Sequence, residues 1–510
     1  MPPNRSSLIA PLALFLGAIN AGAATCESLA SLKLPDTTIT SAQSVGAGAF
    51  TMPSGGFTPS PISANSLPPF CRVSATLRPS QDSDIKIEVW LSAAHWNGKF
   101  QGVGNGGWTG SISYDALMAA LQRGYASAST DTGHAGGVVD GSFALGHPEK
   151  VVDFGYRAVH EMTVQAKAIV AAYYDKRPRY SYWIGCSSGG KQGLKEAQRY
   201  PNDYDGIIAG APANNWIHLM TSVVWLGAAT HQDPASFIPP SKYRMMHDAV
   251  IQACDATDGL RDGLIDDPRQ CHFDPKVLAC PGADAPTCLT APQVEAAKKI
   301  YGPATNPRTG QAIFPGLEPG SERGWAFMAG GREPSEIGMA EFRDIVYHDP
   351  NWDWRTFDFD QGVALAETVD RNIITANDPN LKRFFSRGGK LLMYHGWTDP
   401  LIAPENSINY YTSVLDKMGG ASKTGSSIRL FMVPGMDHCG GGEGPNSFDS
   451  VGAMEQWVER ANPPTRIVAS HSAGGRVDRT RPLCAYPQVA RYQGSGSLDD
   501  AANFVCTPKP

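Results

Sequence analysis

The first half of the chain alternates between hydrophobic patterns typical of strands and patterns typical of helices. Apolar side chains occupy every second position from Ile85 to Leu91, which predicts a strand. Across residues 156–174 they recur at helical spacing. An apolar run at residues 182–184, a serine turn, a helix through Tyr200 and a further apolar run at residues 204–210 follow. This order predicts the parallel sheet of an α/β protein.

The alternation stops in the middle of the chain. Residues 214–387 contain four cysteines, a cluster of aspartates and several proline-glycine stretches, which predict an irregular inserted domain. Strand-like apolar runs resume at residues 389–394 and 428–433. We therefore predict that residues 24–213 and 388–510 form one α/β core that residues 214–387 interrupt.

The N-terminus has the pattern of a secretory signal peptide over residues 1–23. Arg5 precedes an apolar stretch, and Ala21-Gly22-Ala23 forms a small-residue cleavage site. No later segment has the roughly 18 unbroken apolar residues of a spanning helix. We expect a secreted or periplasmic protein with no membrane association.

All ten cysteines follow the predicted cleavage site. An even number in an oxidising compartment favours a full set of disulfides, and the absence of C-x-x-C or H-x-x-x-H spacing disfavours zinc. The net charge of −6 is dispersed along the chain, so we expect no nucleic-acid partner.

Gly185-Cys186-Ser187-Ser188-Gly189 has the G-x-S-x-G form of a nucleophile elbow, in which a serine is exposed on a tight turn between a strand and a helix. A serine nucleophile needs a base to remove its proton. Cys439 directly follows His438, so the candidate nucleophile and the candidate base each have a neighbouring cysteine. A bond between these cysteines would hold the two side chains together.

Asp399 and His438 each follow one of the resumed apolar runs, so Ser187, Asp399 and His438 occur in the chain order of an α/β-hydrolase triad. His438 would act as the base, and Asp399 would orient the imidazole. Asp437 is a rival acid, but its side chain is adjacent to His438 in sequence, where the required geometry is rare. His395 is a rival base, although a strand-end histidine bonded to backbone is the more ordinary interpretation.

Acyl transfer also requires donors for the oxyanion. The backbone N–H of Ser188 is the expected first donor, and Gly106 or Gly107 in the loop over residues 102–110 is the expected second donor. The alternative for the glycine loop is an ordinary turn.

Five aspartates and two glycines are concentrated between Cys254 and Asp267. Hard oxygen ligands in a turn suit Ca²⁺, although their spacing differs from that of an EF-hand. A solvated acidic loop is the alternative.

Taken together, these motifs resemble the tannase and feruloyl esterase family, in which cysteines flank the catalytic serine and histidine and are joined. The resemblance extends over nearly the whole mature chain. It rests on six motifs: Asn97-Gly98-Lys99-Phe100, Gly104-Asn105-Gly106-Gly107, Gly185 to Gly190, Tyr204 to Ala211, Gly396 to Asp399, and Gly435 to Cys439. It implies an α/β-hydrolase core with a large inserted lid domain.

The same resemblance implies a structural calcium in the lid. Its ligands would be the carboxylates of Asp255, Asp258 and Asp262 and the backbone carbonyls of Leu260 and Leu264. It also implies five disulfides: Cys26 with Cys71, Cys186 with Cys439, Cys254 with Cys271, Cys280 with Cys288, and Cys484 with Cys506.

We expect the substrate to be a small aromatic ester, first of all an ester of a phenolic acid. Trp325, Phe327 and Trp397 are candidates for the acyl pocket, although such aromatics are more often packing residues. Tannase activity and hydrolysis of mono(hydroxyethyl) terephthalate are the alternatives within the family. The terephthalate enzyme holds the substrate carboxylate with a lid arginine and has glutamate at the position of Ser188. The candidate arginines are Arg323, Arg332 and Arg343. A catalytically silent, calcium-dependent binding module on the same fold is the alternative from another class.

Overall fold

A nine-stranded sheet lies at the centre of the protein, with strand order β1-β2-β3-β5-β4-β6-β7-β10-β11. The computed structural model describes residues 24–53 and 62–509, and the predicted signal peptide at residues 1–23 lies outside this part. The strands of the central sheet are β1 (Thr37–Val45), β2 (Phe70–Leu77), β3 (Ile85–Ser92), β4 (Lys99–Val103), β5 (Ala126–Thr130), β6 (Tyr180–Cys186), β7 (Gly206–Gly210), β10 (Lys390–Gly396) and β11 (Ile428–Val433). Three small hairpins contain β8 (Ala304–Thr305) with β9 (Ala312–Phe314), β12 (Arg466–Ala473) with β13 (Arg476–Cys484), and β14 (Gln488–Tyr492) with β15 (Phe504–Pro508).

Helices cover the sheet and are the main regular elements of the inserted domain. They are α1 (Tyr114–Gln122), α2 (Pro148–Val152), α3 (Ala158–Tyr174), α4 (Ser188–Arg199), α5 (Trp216–His231), α6 (Tyr243–Cys254), α7 (Ala291–Tyr301), α8 (Glu336–Ala340), α9 (Gln361–Asp370), α10 (Lys382–Ser386), α11 (Glu405–Met418), α12 (Ala421–Thr424) and α13 (Ser450–Arg460). No helix in residues 24–53 or 62–509 is long and apolar enough to cross a membrane.

The sheet is mixed. The parallel arrangement predicted for the apolar runs at residues 182–184 and 204–210 is confirmed, since β6 and β7 are parallel, but the N-terminal part of the sheet is antiparallel. The pairs β1–β2, β2–β3 and β3–β5 are antiparallel, and the remaining neighbours are parallel. Only residues 78–84 separate β2 from β3, and a parallel connection needs a dozen or more residues. The strand predicted over residues 85–91 is therefore present as β3, but it belongs to the antiparallel part of the sheet.

The inserted domain leaves the sheet after β7 and returns at β10. These two strands are neighbours, with Gly206 opposite Lys390 and Gly210 opposite Tyr394. Residues 211–389 between them contain α5 to α10 and the β8–β9 hairpin, and most of their buried apolar residues belong to a second core cluster. The insertion therefore leaves the sheet at the carboxyl end of β7, the edge at which α/β sheets bind their ligands, and re-enters it at the amino end of β10. The boundaries at residues 214 and 387 stay predictions.

All five implied disulfides are formed, and no cysteine in the described part of the chain is free. Cys26–Cys71 joins the N-terminal segment to β2, and Cys484–Cys506 joins the two C-terminal hairpins. Cys254–Cys271 and Cys280–Cys288 lie in the inserted domain. Cys186–Cys439 connects the end of β6 to the loop after β11.

Candidate active site

Ser187 lies on the turn between β6 and α4 with φ 62° and ψ −125°. A positive φ is strained for a residue with a side chain, and such strain is found at nucleophile elbows. Close packing maintains the turn: a Cβ atom on Gly185 would lie 2.3 Å from the carbonyl oxygen of Gly189. The Ser187 N–H also donates to the carbonyl of Gly210 at 3.0 Å. The sequence motif thus forms the strand-turn-helix geometry that an exposed serine nucleophile requires.

Asp399 and His438 form a hydrogen-bonded pair. His438 Nδ1 lies 2.7 Å from Asp399 Oδ2. The other oxygen, Oδ1, accepts the N–H groups of Leu401 at 2.8 Å and Ile402 at 3.0 Å. Burial would raise the pKa of Asp399, but the charges and hydrogen bonds of His438 and His395 outweigh it and hold that pKa well below its usual range. The carboxylate is therefore ionised and able to fix the ring of His438.

The two rival residues have other contacts. Asp437 Oδ1 accepts the Thr398 hydroxyl at 2.9 Å, and its carboxylate has no hydrogen bond to His438 within the described residues. His395 is fully buried and contacts the same oxygen of Asp399 as His438 does, with Nε2 at 3.0 Å from Oδ2. The expectation that His395 bonds to backbone is met in part, because the Ile402 carbonyl is also 3.0 Å from Nε2.

The disulfide between Cys186 and Cys439 places the serine turn beside the histidine loop. The Cα atoms of the two cysteines are 5.9 Å apart, although 253 positions separate them in the sequence. Ser187 and His438 are the immediate chain neighbours of this bond, and both line the same cavity. The covalent link therefore acts directly on the relative position of candidate nucleophile and candidate base.

Gly106 and Gly107 line this cavity together with Ser187 and Ser188. Gly107 has φ 53°, and a Cβ atom there would lie 2.4 Å from the Val138 carbonyl oxygen, so the loop requires glycine at this position. The buried Ser188 hydroxyl donates to the Gly107 carbonyl at 2.8 Å. Sequence reasoning assigned a role only to the Ser188 backbone and missed this side-chain contact, which fixes the glycine loop against the start of α4.

The cavity has a volume of about 250 Å³ and a mainly apolar wall. Its apolar wall residues are Val138, Ala213, Trp216, Leu219, Met220, Phe327, Met328, Ile337, Leu401 and Ile402. Most of them come from the inserted domain or from the loop after β10. The sequence offered only one signal for them, the nearly continuous apolar run of α5.

Of the three aromatic residues predicted for the pocket, one is in its wall. Phe327 lines the cavity and remains 42% exposed. Trp325 is fully buried in the core of the inserted domain, where its indole N–H donates to Ser321 at 2.9 Å. Trp397 is also buried, and the Arg269 guanidinium lies 5.0 Å from its ring. Neither tryptophan is among the cavity-lining residues, because both are packed within the interior.

None of the three candidate arginines is among the residues that line the cavity. Arg323 forms an ion pair with Glu443, and Arg343 pairs with Glu336 and Asp344. Arg332 is exposed. The acyl cavity therefore lacks a cationic side chain that would hold a substrate carboxylate.

Two buried ionisable side chains, Glu341 and Lys191, contact Trp216 in the wall of the cavity. The Trp216 indole N–H donates to Glu341 Oε2 at 2.7 Å, and Lys191 Nζ lies 4.4 Å from the Trp216 ring. Burial lowers the pKa of Lys191 to about 7 and raises the pKa of Glu341 to about 8. These contacts hold the tryptophan in one orientation.

The aspartate-rich loop, residues 255–267, is partly organised by its own backbone. Asp255 Oδ1 accepts the N–H groups of Asp262 at 3.1 Å and Gly263 at 2.9 Å. Asp262 Oδ2 pairs with the buried Arg481 at 2.5 Å. Burial and the neighbouring carboxylates raise the pKa of Asp258 to about 6, and the same causes raise the pKa of Asp266 to about 7. An all-oxygen donor set with mutually repelling carboxylates fits a hard cation.

Comparison with known proteins agrees with this geometry. The family model for tannase and feruloyl esterase matches residues 71–507. An uncharacterized esterase of Xanthomonas campestris pv. campestris is 40% identical over 98% of this chain and 94% of its own. A probable feruloyl esterase B-2 of Aspergillus terreus is 33% identical over 95% of both chains.

Solved structures give the same result. Feruloyl esterase B from Aspergillus oryzae superposes with a TM-score of 0.87 at 32% identity, covering 94% of this chain and 99% of that one. Tannin acyl hydrolase from Aspergillus niger shares the fold, with a TM-score of 0.77 at 23% identity over 94% of this chain and 93% of its own. The resemblance inferred from the motifs is thereby confirmed: the chain belongs to the tannase and feruloyl esterase family of carboxylic ester hydrolases.

Proposed function

We propose that this protein is an exported serine esterase that hydrolyses esters of aromatic, hydroxycinnamic-type carboxylic acids through an acyl-Ser187 intermediate. One observation carries the proposal. Ser187 lines an apolar cavity of about 250 Å³ together with His438, whose ring is fixed by Asp399 at 2.7 Å. An apolar cavity beside a serine and a fixed imidazole suits an aromatic acyl group.

In the proposed reaction, Ser187 Oγ attacks the ester carbonyl carbon while His438 Nε2 accepts the hydroxyl proton. The backbone N–H of Ser188 and that of Gly106 or Gly107 hold the resulting oxyanion. When the intermediate collapses, His438 returns the proton to the leaving alcohol and the acyl group stays on Ser187. Water, deprotonated by His438, then attacks the acyl carbon, and the released acid leaves Ser187 with its proton restored.

We further propose that the lid loop binds a structural Ca²⁺ ion through the carboxylates of Asp255, Asp258 and Asp262 and the carbonyls of Leu260 and Leu264. When bound, the ion would neutralise the crowded carboxylates of this loop. The raised pKa of Asp258 supports this assignment, because neighbouring carboxylates contribute to it. The Cys254–Cys271 bond closes the same loop across 17 positions and would limit its freedom without the ion.

Export to a secreted or periplasmic location is part of the proposal. Five disulfides are formed among the described residues, and such bonds persist in oxidising compartments. The Aspergillus oryzae feruloyl esterase B, with its similar fold and 32% identity, supports the choice of a hydroxycinnamic-type ester. The absence of an arginine from the cavity wall makes a terephthalate monoester a weaker candidate than a ferulate.

The test compares the wild type with Ser187→Ala on methyl ferulate, a gallate ester and mono(hydroxyethyl) terephthalate. We expect the wild type to prefer the ferulate and Ser187→Ala to lose essentially all activity with an unchanged thermal midpoint. Full activity in Ser187→Ala would refute the nucleophile assignment. A wild-type preference for the gallate or terephthalate ester would refute the substrate assignment. A folded wild type that hydrolyses none of the three, nor a nitrophenyl ester, would favour the binding-module alternative.

A further inference from the structure

His395 lies at the end of β10, fully buried, and its two ring nitrogens have different partners. Nδ1 is 2.7 Å from the hydroxyl oxygen of Ser407, which is itself fully buried on α11. Nε2 is 3.0 Å from Asp399 Oδ2 and 3.0 Å from the carbonyl oxygen of Ile402. Nothing in the proposed reaction uses this imidazole, yet it touches the carboxylate that orients His438.

The partners of His395 determine where its proton lies. A carbonyl oxygen and a carboxylate can only accept hydrogen bonds, so Nε2 must carry a proton that it shares between Ile402 and Asp399. The Ser407 hydroxyl can donate to Nδ1, which leaves that nitrogen as an acceptor in the neutral ring. Every polar atom of the imidazole is therefore satisfied in one tautomer and one orientation.

The Asp399 carboxylate accepts hydrogen bonds from four donors, and His395 is one of them. Oδ1 receives two backbone N–H groups, and Oδ2 receives the imidazoles of His438 at 2.7 Å and His395 at 3.0 Å. The backbone donors fix one oxygen, but the direction in which Oδ2 faces His438 depends on a side chain. The other donor to that oxygen is His395.

We propose that His395 is a positioning residue for the triad: its Nε2–H holds Asp399 Oδ2 in line with His438 Nδ1 and withdraws charge from that oxygen. The inference rests on the proposed serine esterase function and deepens it. His395 is not itself a cavity-lining residue, and it reaches the site through Asp399 and through the carbonyl of Ile402, which lines the wall. An effect through Ile402 would change KM, whereas an effect through Asp399 changes kcat.

Two consequences separate this role from simple packing. A looser Asp399 orients His438 less well in the transition state, so kcat should fall while KM changes little. An Asp399 that has lost a donor carries more charge on Oδ2 and stabilises the His438 cation, so the acid limb of kcat/KM should move to higher pH. Asp399 is the charged group in contact with His395. The nearby Asp437 is bonded to Thr398 and does not hydrogen-bond to His395 in the described structure.

A matched pair of amide variants tests the inference. In His395→Gln the side-chain amide nitrogen reaches the position of the histidine Nε2, whereas in His395→Asn it reaches only the position of Nδ1. We expect His395→Asn to lose about 10- to 100-fold in kcat, the range for one lost hydrogen bond to a charged group, with its acid limb displaced upward. We expect His395→Gln to stay within about threefold of the wild type, because it keeps the donor.

The assay uses any ester that the wild type hydrolyses, with thermal unfolding of each variant measured in parallel. Equal kcat and an unshifted acid limb in a folded His395→Asn would overturn the inference. A folded His395→Gln variant that loses about 10-fold or more in kcat relative to the wild type would overturn it as well, and this result can be read even if the Asn variant does not fold. The proposed function fails by a different result, namely activity that survives Ser187→Ala.

Discussion

Removal of the Cys186–Cys439 bond is the most direct test of how this site is assembled. The perturbation is the double substitution Cys186→Ala and Cys439→Ala, which deletes the link and leaves Ser187 and His438 in place. The bond spans 253 positions and includes the whole inserted domain. In the chain-entropy model, a loop of this length corresponds to about 5 kcal/mol of stabilisation as an upper estimate.

The effect on rate is a separate quantity. Without the bond, only non-covalent contacts hold the serine turn beside the histidine loop in the described structure, and a misplacement of about 1 Å between reacting groups costs about 100-fold. We therefore expect kcat to fall by about 100-fold at a temperature where the far-ultraviolet circular dichroism spectrum is still native-like. The assay is steady-state hydrolysis of a nitrophenyl ester, with the unfolding midpoint measured on the same samples.

The matched control is Cys280→Ala with Cys288→Ala. This bond spans only 8 positions within the inserted domain, so the same model gives about 2.5 kcal/mol for its loss. We expect the control to be less stable than the wild type but to keep its kcat. A Cys186/Cys439 double variant with wild-type kcat would refute the reasoning, and so would an equal loss of kcat in the control, because the effect would then be global.

Two further predictions concern the lid. The first is that exhaustive chelation lowers the thermal midpoint and leaves kcat at 25 °C nearly unchanged, because the aspartate loop is proposed to bind a structural ion. An unaltered midpoint, together with no calcium in elemental analysis, would disprove the site. The second concerns His247. Burial lowers the pKa of its imidazole, but the carboxylates of Glu322 and Glu443, each 3.1 Å away, have the larger effect, so the pKa is raised. A raised folded-state pKa stabilises the protein fully below the unfolded value of about 6.5 and less as pH rises through the folded value. Above a pH of about 6.5, the thermal midpoint of His247→Gln should therefore decrease less with rising pH than that of the wild type. An unchanged pH dependence of the midpoint would contradict this assignment.

Local sequence determined the elements that carry the chemistry. The elbow at Ser187 can be read from five adjacent residues because its geometry is local. Glycine is required at position 185, where an added Cβ atom would lie 2.3 Å from the carbonyl oxygen of Gly189. The strand β11 has the bounds that its apolar run predicts, since such runs between turn residues mark buried strands. The prediction of the triad order also needs only the positions of Asp399 and His438 after their strands.

The antiparallel edge of the sheet and the two C-terminal hairpins were decided by tertiary structure. Alternation marks β3 as a strand but not its partner, and in β12 exposed and buried positions alternate only over the first four residues before mixing with intermediate ones. Which strand pairs with which is a long-range choice that short-range periodicity does not contain.

The acyl cavity and the role of His395 likewise depend on tertiary contacts. The cavity wall combines residues as distant as Val138, Phe327 and Leu401, so no local pattern predicts it. The sequence does not distinguish Trp325 and Trp397 from Phe327 as candidates for the wall. Tertiary packing decides which of the three rings lines the cavity. The sequence by itself therefore determined the family and the candidate triad, because these depend on short motifs in a fixed order. The tertiary structure decided the shape of the acyl site and the hydrogen bonds behind it, because these depend on contacts between distant segments.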